Sequence, residues 1–167
     1  VPLERAGGGI VLTASHNPRE WNALKLLNHR GEFISAADGA EVLNLVAQKS
    51  IEYAPVGKLG GYRADESYIA KHIEKILALP LVDAEAVRSK GYRVVVDAVN
   101  STGALAVPPL LEALGCTTIL LNGEINGQFA HNPEPLKEHL GQLATEVRLQ
   151  KAHLGIAVDP DVDRLVF

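Results

Sequence analysis

Apolar positions in this chain follow two patterns: short unbroken runs rich in β-branched residues, and longer stretches where apolar residues return every three or four positions. Gly9-Ile10-Val11-Leu12-Thr13 is of the first kind, is entered through three glycines, and predicts a buried strand. Asp38-Gly39-Ala40-Glu41-Val42-Leu43-Asn44-Leu45-Val46 is of the second kind, opens on an acidic residue, and predicts a helix ending near Ser50. From Pro55 to Tyr62 glycine and proline dominate without a period, which predicts a linker or a junction between units.

Beyond that junction helices and strands alternate. Residues 65–79 read as an amphipathic helix with Tyr68, Ile69, His72, Ile73, Ile76 and Leu77 on one stripe. Val94-Val95-Val96-Asp97 reads as a buried strand ending in a carboxylate. The turn formers Asn100-Ser101-Thr102-Gly103 follow, and then a helix through Leu114 that stops at Gly115. A strand at 116–121, a helix at 134–150 and a strand at 154–159 continue the series, and Arg164-Leu165-Val166-Phe167 begins another strand. Strands apolar throughout and separated by helices predict an α/β fold, with mainly parallel or mixed sheets flanked by helices, in two units, 1–60 and 61–167. Ligands of such sheets collect at the carboxyl ends of the strands, where both the 13–18 loop and Asp159 fall.

Composition narrows the partners. The net charge of -4 is spread along the 167 residues, with no basic cluster to neutralise a run of phosphates, so no nucleic-acid partner is expected. No apolar run has the length to cross a bilayer and the first residues lack a signal peptide's pattern, so a soluble, non-membrane protein is expected. The single cysteine, Cys116, can form no internal disulfide and is expected to be buried, which fits a cytoplasmic location. The absence of methionine and the apolar final strand lead to the expectation that this is a piece of a longer protein.

Two motifs carry chemistry. In Thr13-Ala14-Ser15-His16-Asn17-Pro18 a strand delivers a hydroxyl into a loop beside an imidazole and an amide. A serine acts as a nucleophile when a neighbouring base or bound cation assists it. The same residues also make an ordinary turn before a proline. In Asp159-Pro160-Asp161-Val162-Asp163-Arg164 three carboxylates alternate at a strand end, where their repulsion calls for a cation. Magnesium, which takes a few carboxylate oxygens together with phosphate oxygens, suits such a loop, and Arg164 adds a planar fork for phosphate. A solvated acidic turn would show the same alternation, but the glycine and distal glutamate of a calcium loop are absent. The surroundings of Ser15 do not form the G-x-S-x-G elbow of serine hydrolases.

Together the two motifs, in this order and at this separation, resemble the active-site serine loop and the metal loop of the α-D-phosphohexomutases. The resemblance covers nearly the whole chain, as the later part of the family's first domain followed by its second domain. It implies a phosphoryl transfer between the 1- and 6-positions of a hexose or hexosamine phosphate through a 1,6-bisphosphate, with Ser15 as the phosphoryl carrier. It further implies Mg2+ held by Asp159, Asp161, Asp163 and the Ser15 phosphate, with Arg164 near the phosphoryl group and His16 and Asn17 lining the site. Asn22-Ala23-Leu24-Lys25 resembles the family's Asn-Gly-x-Lys stretch and gives Lys25 a proton-transfer role. Three positions depart from the pattern, Ala23, Pro160 and Val162, each where the family commonly has glycine. Residues 94–103 and 129–135 resemble the second domain and are assigned a structural role, with His131 a loop histidine rather than a ligand. The family's two later domains, which read the sugar and grip its phosphate, are missing partners, so the chain alone is expected to be a poor mutase or none. The alternative is a noncatalytic metal-binding or assembly domain that kept the loops.

Overall fold

The computed structural model describes residues 1–49 and 51–167, so the predicted helix end near Ser50 lies outside the described residues. The chain divides into two compact units. One comprises Val1–Leu12 and Ala23–Asp65, the other Thr13–Asn22 and Glu66–Phe167.

In the first unit β1 (Gly9–Leu12) pairs antiparallel with β2 (Leu24–Leu27), so that Val11 stands opposite Lys25. The expectation of a buried strand is corrected here: Ile10, Val11 and Leu12 are all exposed. A two-stranded ribbon has faces that only another layer can bury, and these three side chains are left largely to solvent. Helix α1 (Ala36–Gln48) follows. Its start is set by a reciprocal capping box in which Ser35 accepts from the Asp38 N–H while the Asp38 carboxylate accepts from the Ser35 N–H. Apart from a single 3-10 turn at Val56–Lys58, the Gly- and Pro-rich stretch after it carries no regular structure.

The second unit is a three-layer α/β/α arrangement. Its sheet has the order β4-β3-β5-β6, where β3 is Arg93–Asp97, β4 Thr117–Leu121, β5 Leu154–Val158 and β6 Leu165–Val166. β3 runs parallel to both β4 and β5, and β6 closes the edge antiparallel to β5, which is the mixed sheet the alternation predicts. The two-residue period of the strands divides the core. Val94, Val96, Ile156 and Val158 pack with Leu111 of α4 (Gly103–Ala113) on one face, while Val95 and Ala157 pack with Leu143 of α5 (Gly141–Leu149) on the other. Each fully buried valine contributes roughly 1.5–3 kcal/mol through its removal from water. This explains why the β-branched run was legible as a strand.

α2 (Tyr68–Leu77) turns its apolar stripe toward α4, starting three residues later than the period predicts. A short helix, α3 (Ala84–Arg88), was not predicted. Its signal was Asp83, whose side chain caps the Ala86 N–H. The predicted helix over 134–150 is shorter than expected: Glu134–Leu140 forms a loop with a 3-10 turn, and α5 begins only at Gly141. Pro135 and the Asn132 side chain, which accepts from the Glu134 N–H, hold that segment in a turn. Cys116, expected buried, is half-buried and a free thiol. Among the described residues no helix is long and apolar enough to cross a membrane.

Candidate functional site

β5 ends at Val158, and the next residue, Asp159, is entirely buried. Its carboxylate organises the loop that follows. Oδ1 accepts from the backbone N–H of Asp163 at 3.1 Å and of Arg164 at 3.0 Å, which curls 159–164 around it. Val162 takes a left-handed backbone, φ 64°, a conformation that favours glycine. The loop is also tied down from outside, because the Ser101 hydroxyl donates to the Pro160 carbonyl at 2.9 Å and the Thr102 hydroxyl donates to the same oxygen. Gly103 permits this approach, since a Cβ there would meet Val158 Cγ2 at 2.5 Å.

The curl gathers the three carboxylates: Asp159, Asp161 and Asp163 each offer an oxygen within 4.8 Å of the others. Burial pushes the Asp159 carboxyl above its usual 3.8. The hydrogen bond from the Arg164 N–H pulls it back, and the charges of Asp161 and Asp163 push it up again. A bound divalent cation would reverse that repulsion. Three carboxylate donors, one wholly out of water, form a hard oxygen set that fits Mg2+.

The serine loop belongs to the same unit. Thr13 connects the two, accepting from the Ser15 N–H at 2.9 Å and donating to Asp161 Oδ2 at 3.1 Å. Ser15, itself left-handed at φ 54°, is thereby turned so that its Oγ donates to Asp159 Oδ2 at 3.3 Å. The same oxygen lies 3.3 Å from His16 Nδ1. Asn17 is exposed, and its N–H closes the turn onto the Ala14 carbonyl. Arg164 Nη1 pairs with Glu134 Oε1 at 2.6 Å.

The fold therefore brings Ser15, His16, Asp159, Asp161, Asp163 and Arg164 into one unit, with Asn17 at the tip of the serine loop. Lys25 lies in the other unit, half-buried on β2 opposite Val11. Ala23 does not take a positive φ, so its methyl group meets no conformational obstacle there.

Thr13 and Glu134 were given no role of their own from sequence, and the pairing of Asp97, read as a carboxylate ending its strand, with His131, read as a loop histidine, was not foreseen. Thr13 could have been found as the hydroxyl opening the motif. Asp97 repeats the Asp159 signature, a carboxylate ending a β-branched run, and is 1% exposed. His131 donates from Nε2 to Asp97 Oδ2 at 2.9 Å and from Nδ1 to the Asn132 carbonyl at 2.8 Å. Neither acceptor has a proton to give, so this pair of bonds favours the protonated ring, and the Asp97 hydrogen bond raises His131 above its usual 6.5 against the opposing effect of burial. Asn122 Nδ2 and the Val99 N–H also donate to Asp97 Oδ1.

Residues 70–167 match the family model for phosphoglucomutase/phosphomannomutase alpha/beta/alpha domain II, and residues 2–52 match that for domain I. A phosphoglucomutase/phosphomannomutase of Thermococcus kodakarensis is 39% identical over 163 residues, covering 97% of this chain and 35% of the relative. A phosphoglucosamine/phosphogalactosamine mutase of Sulfurisphaera tokodaii is 34% identical over 96% of this chain and 35% of its own length. Among solved structures, a phosphoglucomutase/phosphomannomutase family protein of Burkholderia thailandensis superposes with a TM-score of 0.76 at 27% identity, covering 95% of this chain and 32% of that one. The chain thus spans about a third of the length of the relatives it matches. With both family models matched in order and the serine and aspartate loops gathered in one unit, the chain belongs to the phosphoglucomutase/phosphomannomutase family.

Proposed function

We propose that this chain carries the phosphoryl-transferring part of a phosphohexomutase, an isomerase that moves a phosphoryl group between the 1- and 6-positions of a hexose or hexosamine phosphate through a 1,6-bisphosphate. The observation that carries the reading is Ser15 Oγ hydrogen-bonded to Asp159 inside a three-carboxylate cluster. A buried carboxylate that faces two further carboxylates is best offset by a cation, and a phosphoryl group on the hydroxyl beside it would add oxygens to the same set.

In this reading Asp159, Asp161, Asp163 and the phosphorylated Ser15 hold Mg2+, which when bound neutralises charge on the phosphoryl oxygens. Asp159 orients Ser15 Oγ through their hydrogen bond and holds the 159–164 curl through its second oxygen. His16 Nδ1 is placed to exchange a proton with Oγ, and Arg164 presents its guanidinium to a phosphate. Lys25 is the proton-transfer group toward the sugar, and Asn17 contacts substrate from the turn. Residues 1–60 are the later part of domain I and 61–167 domain II, and the matched stretches 2–52 and 70–167 support that division. Domains that read the sugar would complete the enzyme, so this chain alone turns over poorly. In this reading the protein works in the cytoplasm.

The test is a peptide-resolved mass of the chain after incubation with Mg2+ and glucose 1,6-bisphosphate, beside Ser15→Ala. Phosphate on Ser15, absent from the variant and reduced by chelation, is the expected result. A chain that binds Mg2+ at the aspartates yet leaves Ser15 unmodified sinks the carrier role and leaves the noncatalytic metal-binding domain.

A further inference from the structure

The segment after β4, residues 122–135, touches two arginines, Arg164 of the aspartate loop and Arg19, which follows the serine loop. Gln128 Oε1 accepts from Arg19 Nη1 at 2.6 Å, four residues beyond Ser15, and Glu134 Oε1 accepts from Arg164 Nη1 at 2.6 Å, next to Asp163. The segment has its own anchor between these points, the imidazolium of His131 on Asp97 at the end of β3. Asn100 adds a second, donating to the Gln128 carbonyl at 2.9 Å and accepting from the Glu124 N–H at 3.2 Å.

We propose that this segment is a positioning element for phosphate recognition, in which Gln128 and Glu134 hold the guanidinium groups of Arg19 and Arg164 while the His131–Asp97 pair holds the segment. The proposal rests on the mutase reading for its purpose, though not for its geometry.

A long arginine side chain loses much of its rotamer freedom when it is fixed on a ligand. Fixing it beforehand removes that cost from the binding step. Among the described residues only Nη1 of each guanidinium is engaged by a side chain, which leaves the rest of each planar fork for phosphoryl oxygens. The pair Glu134–Arg164 remains part-exposed, so it contributes little to stability, and a role in holding Arg164 accounts for it better. A small cleft of about 200 Å³ separates the segment from residues 18–20, with Arg19 and Glu20 on one side and Phe129, His131 and Asn132 on the other.

The experiment is 15N NMR of the arginine guanidinium groups in the 167-residue chain without substrate, where a held guanidinium rotates slowly and shows separate Nη signals. Glu134→Gln should merge the signals of Arg164 alone, Gln128→Ala those of Arg19 alone, and His131→Ala those of both. Should His131→Ala fail to fold, the two exposed-side variants still decide, since either arginine keeping its separate signals overturns the proposal. In the Ser15 phosphorylation assay, Glu134→Gln should raise the half-saturating bisphosphate concentration about tenfold at an unchanged maximal rate, the scale of one charge-assisted hydrogen bond. A fall in maximal rate alone would overturn the positioning role. Guanidinium signals that behave as expected in a chain whose Ser15 takes no phosphate would separate a failure of the mutase reading from a failure of this one.

Discussion

Thr13 and Asp161 stand 148 positions apart in the chain and share a hydrogen bond of 3.1 Å, in which the threonine hydroxyl donates to the carboxylate. The same hydroxyl accepts from the Ser15 N–H. One side chain therefore sets the conformation of the serine loop and orients one carboxylate of the cluster. Thr13→Val keeps the shape and removes both bonds. It should lower the rate of Ser15 phosphorylation about tenfold, and lower stability by about 2 kcal/mol, the net worth of two hydrogen bonds. Urea denaturation beside the phosphorylation assay checks both, and an unchanged rate would show that Thr13 has no part in aligning Ser15.

Asp159→Asn retains volume but removes the charge that holds both the curl and a cation. Saturating Mg2+ should raise the melting temperature of the parent chain, and the variant should lose that rise; a hundredfold excess over the dissociation constant stabilises by about 2.7 kcal/mol. Thermal melts with and without Mg2+ decide, and an equal rise in both proteins would place the cation elsewhere.

Val162 combines a left-handed φ of 64° with a side chain packed against the α4-side core. Val162→Gly relieves backbone strain of roughly 1–2 kcal/mol and forfeits packing of similar size. Its stability should fall within about 1 kcal/mol of the parent. By contrast Val94→Ala, at a fully packed strand position, should cost roughly 2 kcal/mol. Equal losses at the two sites would mean that Val162 is not strained.

Stability should depend on pH through His131 and Asp97. The Asp97 hydrogen bond raises His131 above its usual 6.5 against the opposing effect of burial, with the Asn132 carbonyl and the charge of Asp97 adding to the rise. Its contribution is therefore complete below pH 6.5 and is lost as pH climbs through the raised value. For Asp97 burial is the largest single influence and acts upward, but the hydrogen bonds from His131, Asn122 and Val99 together hold the group below 3.8. Its contribution is present above pH 3.8 and is lost as pH falls through the lowered value. Other charges facing the imidazolium are few: His139 stacks on it at 6.4 Å, and Arg19 and Glu20 share its cleft. Melting temperatures from pH 5 to 9 should decline on the alkaline side in the parent and stay flatter in His131→Gln. Parallel curves would remove the ion pair as the source.

Gly103→Ala would force a methyl group onto Val158 Cγ2. With the Pro160 carbonyl already tied to Ser101 and Thr102 beside it, the helix cannot retreat freely, and the variant should be destabilised by about 1–3 kcal/mol. A denaturation midpoint equal to the parent's would show that α4 can shift away from β5.

How much of this was legible in advance depended on whether the deciding interaction was local. The β3 and β5 strands were, because Val94 to Val96 and Ile156 to Val158 carry their burial pattern in their own side chains. The start of α1 is local too, since Ser35 and Asp38 cap each other within one turn, but the helix was read as opening on Asp38 and begins at Ala36. The exposure of β1 and the late start of α5 were not. A ribbon's burial depends on what lies over it, and the segment from Glu134 to Leu140 keeps apolar residues at helical spacing while its proline and the Asn132 cap bend it into a turn.

The sequence by itself determined the chemical inventory: a serine and a histidine after one strand, three alternating carboxylates and an arginine after another, and the alternation of strands and helices that sets both at strand ends. Only the tertiary structure decided that Thr13 bridges the two loops, that Asp97 and His131 form an ion pair, and that Gln128 and Glu134 each engage an arginine. The reason is physical. Residue type and spacing specify which groups a chain can bring, but hydrogen bonds between residues 30 to 148 positions apart depend on backbone paths set by the packing of the whole sheet and its helices.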